Sequence, residues 1–378
     1  MEDVPRTVQK RIESYLKPHR AALIIGPRRV GKTVLMARIL RDWKGQTLLL
    51  NGEDYDTHAL LEQRSAAGYR RLLEGVTLFA LDEAQNVPDV GAKLKLMTDE
   101  VPRVSILATG SSSFDLTQKA GEPLVGRSRS FHLFPFTQRE LDARENPLET
   151  RRNLEDRLIY GSYPEAALME RNGDRAAYLR DLVNSYLLKD ILSFEGLRNS
   201  LKLQNLLRLV AFQMGNEVSY DELGRQLGLS KNTVEKYLGL LADVFVVYRL
   251  GAYSGNLRKE VVKSCKWYFW DNGVRNALIG DFRPLALRQD GGCLWESYLL
   301  GERIKDSCHR GQGLEYYFWR TYDGQEIDLI ETGDGAMRAF EFKWGEKRIP
   351  KVPPAFGSAY PGADFTAVSP ENYLEFIL

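Results

Sequence analysis

Three runs of consecutive apolar residues, Ala21–Ile25, Val76–Leu81 and Val104–Ala108, each break off abruptly into glycine, acidic or hydroxyl residues. Runs this short and this apolar fit strands buried on both faces, as in a parallel sheet. A fourth, Thr47–Leu50, ends in Asn51-Gly52, and Phe131–Phe136 predicts a further strand. Helical spacing fills the gaps. Val8, Ile12, Tyr15 and Leu16 line one face of a helix ahead of the first strand, Val34–Leu40 predicts a second, and Asp54–Glu74 a polar loop and helix. Strand and helix alternate, so an α/β fold with a parallel sheet is expected.

Beyond Thr150 the period becomes helical. Leu154, Leu158 and Ile159 form one stripe, and Tyr178, Leu182, Tyr186, Leu187 and Ile191 another, with a forced turn at Gly161-Ser162-Tyr163-Pro164. Val218–Leu250 carries a helix-turn-helix pattern. Ser219-Tyr-Asp-Glu222 reads as a capping box, Gly228 as the turn, and Ser230 as the cap of a second helix whose Val234, Tyr237, Leu238 and Leu241 face inward. Phe245–Tyr248 and Trp267–Phe269 would be wing strands, with Asp271-Asn272-Gly273 a turn after them. Lys231, Asn232, Glu235 and Lys236 would face outward, where Asn and Lys can meet bases or phosphates. In the last segment, Leu294–Ile304 predicts a helix and Tyr316–Trp319, Gln325–Ile330 and Arg338–Lys343 three strands, with Asp323-Gly324 a tight turn.

Length and charge narrow the picture. A chain of 378 residues exceeds one usual core. A formal net charge of +1 exerts no global pull on nucleic acid, so such a partner needs a local patch. No apolar run approaches a membrane span. The opening Met-Glu-Asp-Val-Pro lacks a basic-then-apolar leader pattern, and the three cysteines Cys265, Cys293 and Cys308 match no zinc spacing. A cytoplasmic setting is expected.

The chemistry centres on Gly26-Pro27-Arg28-Arg29-Val30-Gly31-Lys32-Thr33-Val34, between the first strand and its helix. A Gly-x-x-x-x-Gly-Lys-Thr loop in that context cradles phosphate on backbone N–H groups and the positive helix N-terminus. Lys32 would reach the β and γ phosphates of ATP, and the Thr33 hydroxyl would ligate Mg2+. Asp82 and Glu83 end the next buried strand on the edge where ligands sit in open α/β sheets. Asp82 would hold Mg2+ through water, and Glu83 would orient or activate the attacking water. Thr109 or Ser111 would contact the γ phosphate or that water. Arg127 or Arg129 would act as an arginine finger on a neighbouring copy, so a homo-oligomer is expected.

GPRRVGKT, LDEAQ, LATGSSS, the GR before FHLFPFTQREL, and YGSYPEA together resemble the AAA-type P-loop ATPases of bacteria and archaea that carry a C-terminal domain of poorly defined role. Arg29 stands where many relatives have Gln, at a position whose contribution to phosphate binding is made by backbone. The resemblance implies an AAA-type core over 1–148, a helical lid over 149–200, a winged helix over 201–290 and a small α/β domain over 291–378.

In that last part, Glu341 and Lys343 share one strand face, Phe340 and Phe342 the other, while Asp328 lies between apolar Ile327 and Leu329. With Glu296 from the preceding helix, they resemble the metal-binding core of PD-(D/E)XK nucleases. There Glu296, Asp328 and Glu341 would hold Mg2+, and Lys343 would position or deprotonate the attacking water. The same residues also suit a solvated strand face with a cross-strand ion pair. The expectation is Mg2+-dependent ATP hydrolysis driving DNA processing, of branched or damaged DNA. The alternative is a nucleotide-dependent switch acting through protein contacts, with vestigial acids.

Overall fold

The computed structural model describes residues 4–62, 65–111, 126–187, 200–254, 264–345 and 350–378. The chain divides into two compact units. One is Met1–Phe134 with Asp243–Phe245, the other Pro135–Ala242 with Val246–Leu378.

The first unit is built on five parallel strands: β1 (Ala21–Ile25), β2 (Thr47–Asn51), β3 (Leu78–Asp82), β4 (Ser105–Gly110) and β5 (Ser128–His132), in the order β2-β3-β4-β1-β5. Every residue of β1, β3 and β4 is buried, as their unbroken apolar runs require. The edge strand β5 lies three residues earlier than the expected Phe131 start. Its Ser128-Arg129-Ser130 pair with Ala21–Leu23 while their side chains stay partly or fully exposed, so an edge strand carries less apolar signal. The segment expected as one helix over Asp54–Glu74 is two, Tyr55–Glu62 and Ala66–Leu72, the second capped by the Ser65 hydroxyl accepting from Gly68 N–H.

The second unit mixes helices with six strands. β6 (Val247–Ala252), β7 (Cys265–Phe269), β8 (Glu315–Arg320), β9 (Glu326–Gly333), β10 (Ala336–Phe342) and β11 (Asp364–Val368) form one sheet ordered β11-β10-β9-β8-β6-β7. β6 and β7 pair antiparallel as a wing would. β6 also pairs parallel with β8 at Gly251↔Tyr317 and Ala252↔Phe318. The sheet therefore runs across residue 290, and the expected winged helix and C-terminal domain share it. The two expected helices of the helix-turn-helix are present, Tyr220–Leu227 and Lys231–Asp243, with Gly228 left-handed between them at φ 60°. Only half of the capping box forms. Ser219 accepts from Glu222 N–H at 3.3 Å, but the Glu222 carboxylate accepts from Gln226 instead.

Asp271-Asn272-Gly273, expected as a turn after the wing strands, opens a helix instead. Asp271 caps the helix Asn272–Ile279 through Val274 N–H at 3.1 Å, and the same carboxylate accepts from Ser162 N–H at 2.7 Å. Here the YGSYPEA segment finds its structural reason. Gly161 has φ 68°, and a Cβ there would stand 2.1 Å from Asp271 Oδ1, while a Cβ on Gly273 would stand 2.1 Å from the Tyr160 carbonyl oxygen. Asn276 donates to the carbonyls of Ile159 at 2.8 Å and Leu158 at 3.3 Å. The helices expected as a lid, Leu154–Tyr160 and Asn172–Asp181, are thus joined to Asn272–Ile279 inside the second unit. Ile191 of the expected second stripe lies outside the described residues.

The FPFTQREL segment has a comparable role. Thr137 and Glu140 form a complete capping box on the helix Gln138–Asp142. Tyr298 and Glu302 of the long helix Gly291–Arg310 meet Gln138, and Asp306 pairs with Arg139 at 2.7 Å.

Candidate functional site

The loop between β1 and the helix Lys32–Asp42 has the conformation a phosphate cradle needs. Arg29 and Gly31 take left-handed φ values of 65° and 92°, so the chain turns tightly before the helix begins. Gly26 is held to glycine by space, since a Cβ would stand 2.0 Å from the Leu133 carbonyl oxygen. Pro27 and Val30 are buried, Arg28 is half-buried, and Arg29, Thr33 and Val34 are exposed. Lys32 is 4% exposed, and its ammonium donates to the carbonyls of Gly26 and Pro27 at 2.9 Å each, which holds its charge at the loop.

One residue outside the motif supports the loop from behind. Arg6 is buried and donates to the Val30 carbonyl at 2.8 Å and to the Phe134 carbonyl at 2.6 Å. It precedes the first helix, where the apolar pattern gave no reason to single out an arginine.

Asp82 joins three elements. Thr33 Oγ1 donates to its Oδ2 at 2.8 Å, and Thr109 Oγ1 donates to its Oδ1. Thr109 in turn accepts from Glu83 N–H at 3.0 Å. Thr109 is fully buried and its one hydroxyl proton is directed to Asp82. A hydroxyl and a carboxylate so close form a hard oxygen donor set, which fits Mg2+. Bound there with ATP, the ion would spread the charge of the transferring phosphoryl group.

Glu83 follows in left-handed backbone, φ 47°, and its carboxylate accepts from Gln85 Nε2 at 2.5 Å. Gly52 explains the Asn-Gly after β2: a Cβ there would stand 2.3 Å from the Glu83 carbonyl oxygen. Glu83 is thus fixed from its backbone and its side chain. Ser111 is half-buried, just after β4.

The arginines lie elsewhere on the unit. Arg127 hydrogen-bonds through its carbonyl to Ala21 N–H, at the amino end of β1, whereas the loop leaves the carboxyl end. The length of β1 separates them, roughly 17 Å at about 3.3 Å per residue. Arg127 pairs with Asp99 at 2.7 Å, and Arg129 lies over the Phe131 ring at 5.8 Å. Neither meets the phosphate loop of its own chain.

In the second unit Lys231, Asn232, Glu235 and Lys236 are exposed as expected, but Lys231 faces Asp221 at 3.6 Å. The acidic residues of the C-terminal part do gather. Burial raises the pKa of Asp328 well above the usual value, and the negative charges of Glu296 and Glu341 raise it further. Burial also raises Glu296. Each carboxylate has one partner, while the second oxygen of Glu341, Oε2, is buried without a hydrogen bond. Glu296 accepts from the Tyr268 hydroxyl, Asp328 from Phe342 N–H at 2.7 Å, and Glu341 pairs with Lys343 at 3.0 Å. Among the described residues, no group of three His, Cys, Asp or Glu side chains is arranged to hold a metal ion. The expected Mg2+ cage of Glu296, Asp328 and Glu341 is therefore not formed in this arrangement.

A second residue that sequence reasoning missed, besides Arg6, is Lys266. It is 3% exposed on β7, and its ammonium lies 2.5 Å from Glu326 Oε1 and 3.5 Å from Glu296 Oε1. Burial alone would lower its pKa, but Glu296 and Glu326 outweigh burial and hold it above the ordinary lysine value. A lone lysine between Cys265 and the apolar run Trp267–Phe269 was the available signal.

Comparison with known proteins divides the chain into three matched segments. Residues 18–142 match an AAA domain family, 151–284 a domain of unknown function (DUF8612), and 291–371 another (DUF4143). An uncharacterized protein of Mycobacterium tuberculosis is 28% identical over 332 residues, covering 86% of this chain and 71% of that one. An uncharacterized protein of Methanocaldococcus jannaschii is 22% identical, covering 87% and 76%. Among solved structures, a signal-transduction ATPase with a tetratricopeptide repeat sensor from Pyrococcus horikoshii aligns at TM-score 0.32 and 11% identity. The alignment covers 82% of this chain and 48% of that one, so this chain spans about half its length. The RuvB Holliday junction branch migration motor of Thermotoga maritima aligns at TM-score 0.31 and 18% identity, covering 64% and 88%. At such scores these likenesses say nothing of activity. No helix among the described residues is long and apolar enough to cross a membrane. The match to an AAA domain family over residues 18–142 supports an AAA-type ATPase in this segment, which carries the Gly-x-x-x-x-Gly-Lys-Thr loop.

Proposed function

We propose that the protein hydrolyses ATP with Mg2+ in its first unit and couples turnover to DNA bound by the helix Lys231–Asp243. The observation that carries the hydrolase is Asp82, whose carboxylate accepts from both Thr33 and Thr109 and so ties the phosphate loop to two strand ends. Glu83 is the group that orients the attacking water, and Lys32 the cation that meets the phosphates. Arg127, placed away from its own loop, acts on a neighbouring copy, which makes the active form an oligomer. Support for DNA comes from the exposed Asn232 and Lys236.

Two observations favour a second reading, a nucleotide-dependent switch working through protein contacts. Lys231 is drawn to Asp221, which thins the basic face, and Lys266 fills the acidic cluster that phosphodiester cleavage would need. One assay separates them. ATP turnover and Mg2+-dependent cleavage are measured over single-stranded, duplex, forked and four-way DNAs at several salt concentrations. Salt-dependent stimulation of turnover supports the DNA reading. Turnover indifferent to every DNA leaves the switch.

A further inference from the structure

We propose that Lys266 is a resident counter-cation of the C-terminal acidic cluster, taking the place a divalent ion would occupy between Glu296 and Glu326. The inference goes beyond the ATPase reading and does not depend on it.

The geometry is that of a buried ion with two carboxylate ligands. The Lys266 ammonium sits 2.5 Å from Glu326 Oε1 and 3.5 Å from Glu296 Oε1. The same ammonium lies 5.2 Å from the centroid of the Phe318 ring, which adds a third favourable contact to the cation. Glu296 comes from the helix Gly291–Arg310, Glu326 from the start of β9 and Lys266 from β7, so three separate elements converge on one charge. With Lys266 buried and Glu296 largely so, a charge on either needs an opposite partner, while Glu326 keeps 31% of its side chain exposed. An ammonium built into the chain supplies it at every ion concentration, with no binding equilibrium to satisfy. Of the remaining pair, Asp328 accepts from Phe342 N–H and Glu341 Oε1 pairs with Lys343, while Glu341 Oε2 is buried without a hydrogen bond. Lys266 thus stands beside Glu296, one of the three acids that a nuclease core of this residue set would use for its metal.

Two consequences differ from those of an ordinary metal site. The fold of the second unit does not require Mg2+, and removing the ammonium opens a cation site that the native chain lacks. The test uses the nucleotide-free full-length chain, Mn2+ as the probe, and Lys266→Met, which keeps side-chain length and removes the charge. Isothermal titration calorimetry and electron paramagnetic resonance count bound Mn2+ per chain, so any ion at the phosphate loop is common to all variants and cancels. The expected result is one additional Mn2+ in Lys266→Met, lost again in Lys266→Met combined with Glu326→Gln. Equal counts in wild type and a folded Lys266→Met overturn the proposal, as does an additional ion that survives Glu326→Gln. If Lys266→Met is unfolded in the absence of metal, recovery of its circular dichroism with millimolar Mn2+ supports the proposal. Failure to recover overturns it.

Discussion

Arg6 reaches the Val30 carbonyl from the segment before the first helix and bonds it at 2.8 Å, so the far side of the phosphate loop is held by a residue twenty-four positions upstream. The same guanidinium holds the Phe134 carbonyl. Arg6→Met should keep much of the apolar packing while leaving both buried carbonyls short of a donor, at roughly 1–3 kcal/mol each. The expected outcome is a lower melting temperature and a raised KM for ATP. A variant with unchanged KM would separate Arg6 from the loop.

The chain of bonds through Asp82 predicts a graded series. Lys32→Ala should abolish ATP binding, and Glu83→Gln should leave binding intact while lowering kcat by at least about 100-fold, within the range of general-base loss. Thr109→Val removes the hydroxyl that donates to Asp82 and accepts from Glu83 N–H. It should lower kcat about 10-fold or more with little change in KM, and Thr109→Ser should restore most of it. Steady-state phosphate release measures all four, and a Thr109→Val enzyme at full kcat would remove the positioning role.

Gly161→Ala places a methyl 2.1 Å from Asp271 Oδ1 at φ 68°, with ψ in a region essentially reserved for glycine. More than about 2 kcal/mol should be lost. Gly173→Ala, in the helix Asn172–Asp181 with nothing within 4 Å of the added carbon, should be neutral or stabilising by up to about 1 kcal/mol. Thermal melts of the two variants provide the comparison.

Asp290 gives the pH dependence. Hydrogen bonds from Arg288, opposed by burial and joined by those from Arg275, hold its carboxyl well below the usual range. A depressed acid contributes stability that is present above its unfolded value of about 4 and lost as pH falls toward the folded one. Asp290→Asn should therefore cost on the order of 1 kcal/mol at pH 7, given partial exposure and screening. The gap to wild type should narrow steadily below about pH 4 in urea titrations. A gap that stays constant with pH would show that Asp290 contributes through packing alone.

What the sequence made legible was local. The phosphate loop and Asp82-Glu83 lie within a few residues of the apolar runs that position them, so their order along the chain already stated their place on the sheet. Gly161, by contrast, could be read only as a turn. Its need for glycine comes from Asp271, 110 positions later in the sequence. Lys266 was passed over for the same reason: a lysine beside Trp267 has no evident partner until the fold brings Glu296 and Glu326 to it. Thr109 is legible as the polar end of a buried strand, but which way its hydroxyl points, here to Asp82, is set by the fold. Asp271 shows the converse error, since Asp-Asn-Gly describes a helix cap as well as a turn.

The parallel pairing of β6 with β8 also limits how the protein can be taken apart. A cut at residue 290, between the last two matched families, would split a six-stranded sheet into a two-stranded ribbon and a four-stranded remnant. The ribbon would be too small to hold on its own, and the remnant would offer bare backbone to any passing strand. Domain boundaries drawn from sequence families and units of independent folding do not coincide in this half of the chain.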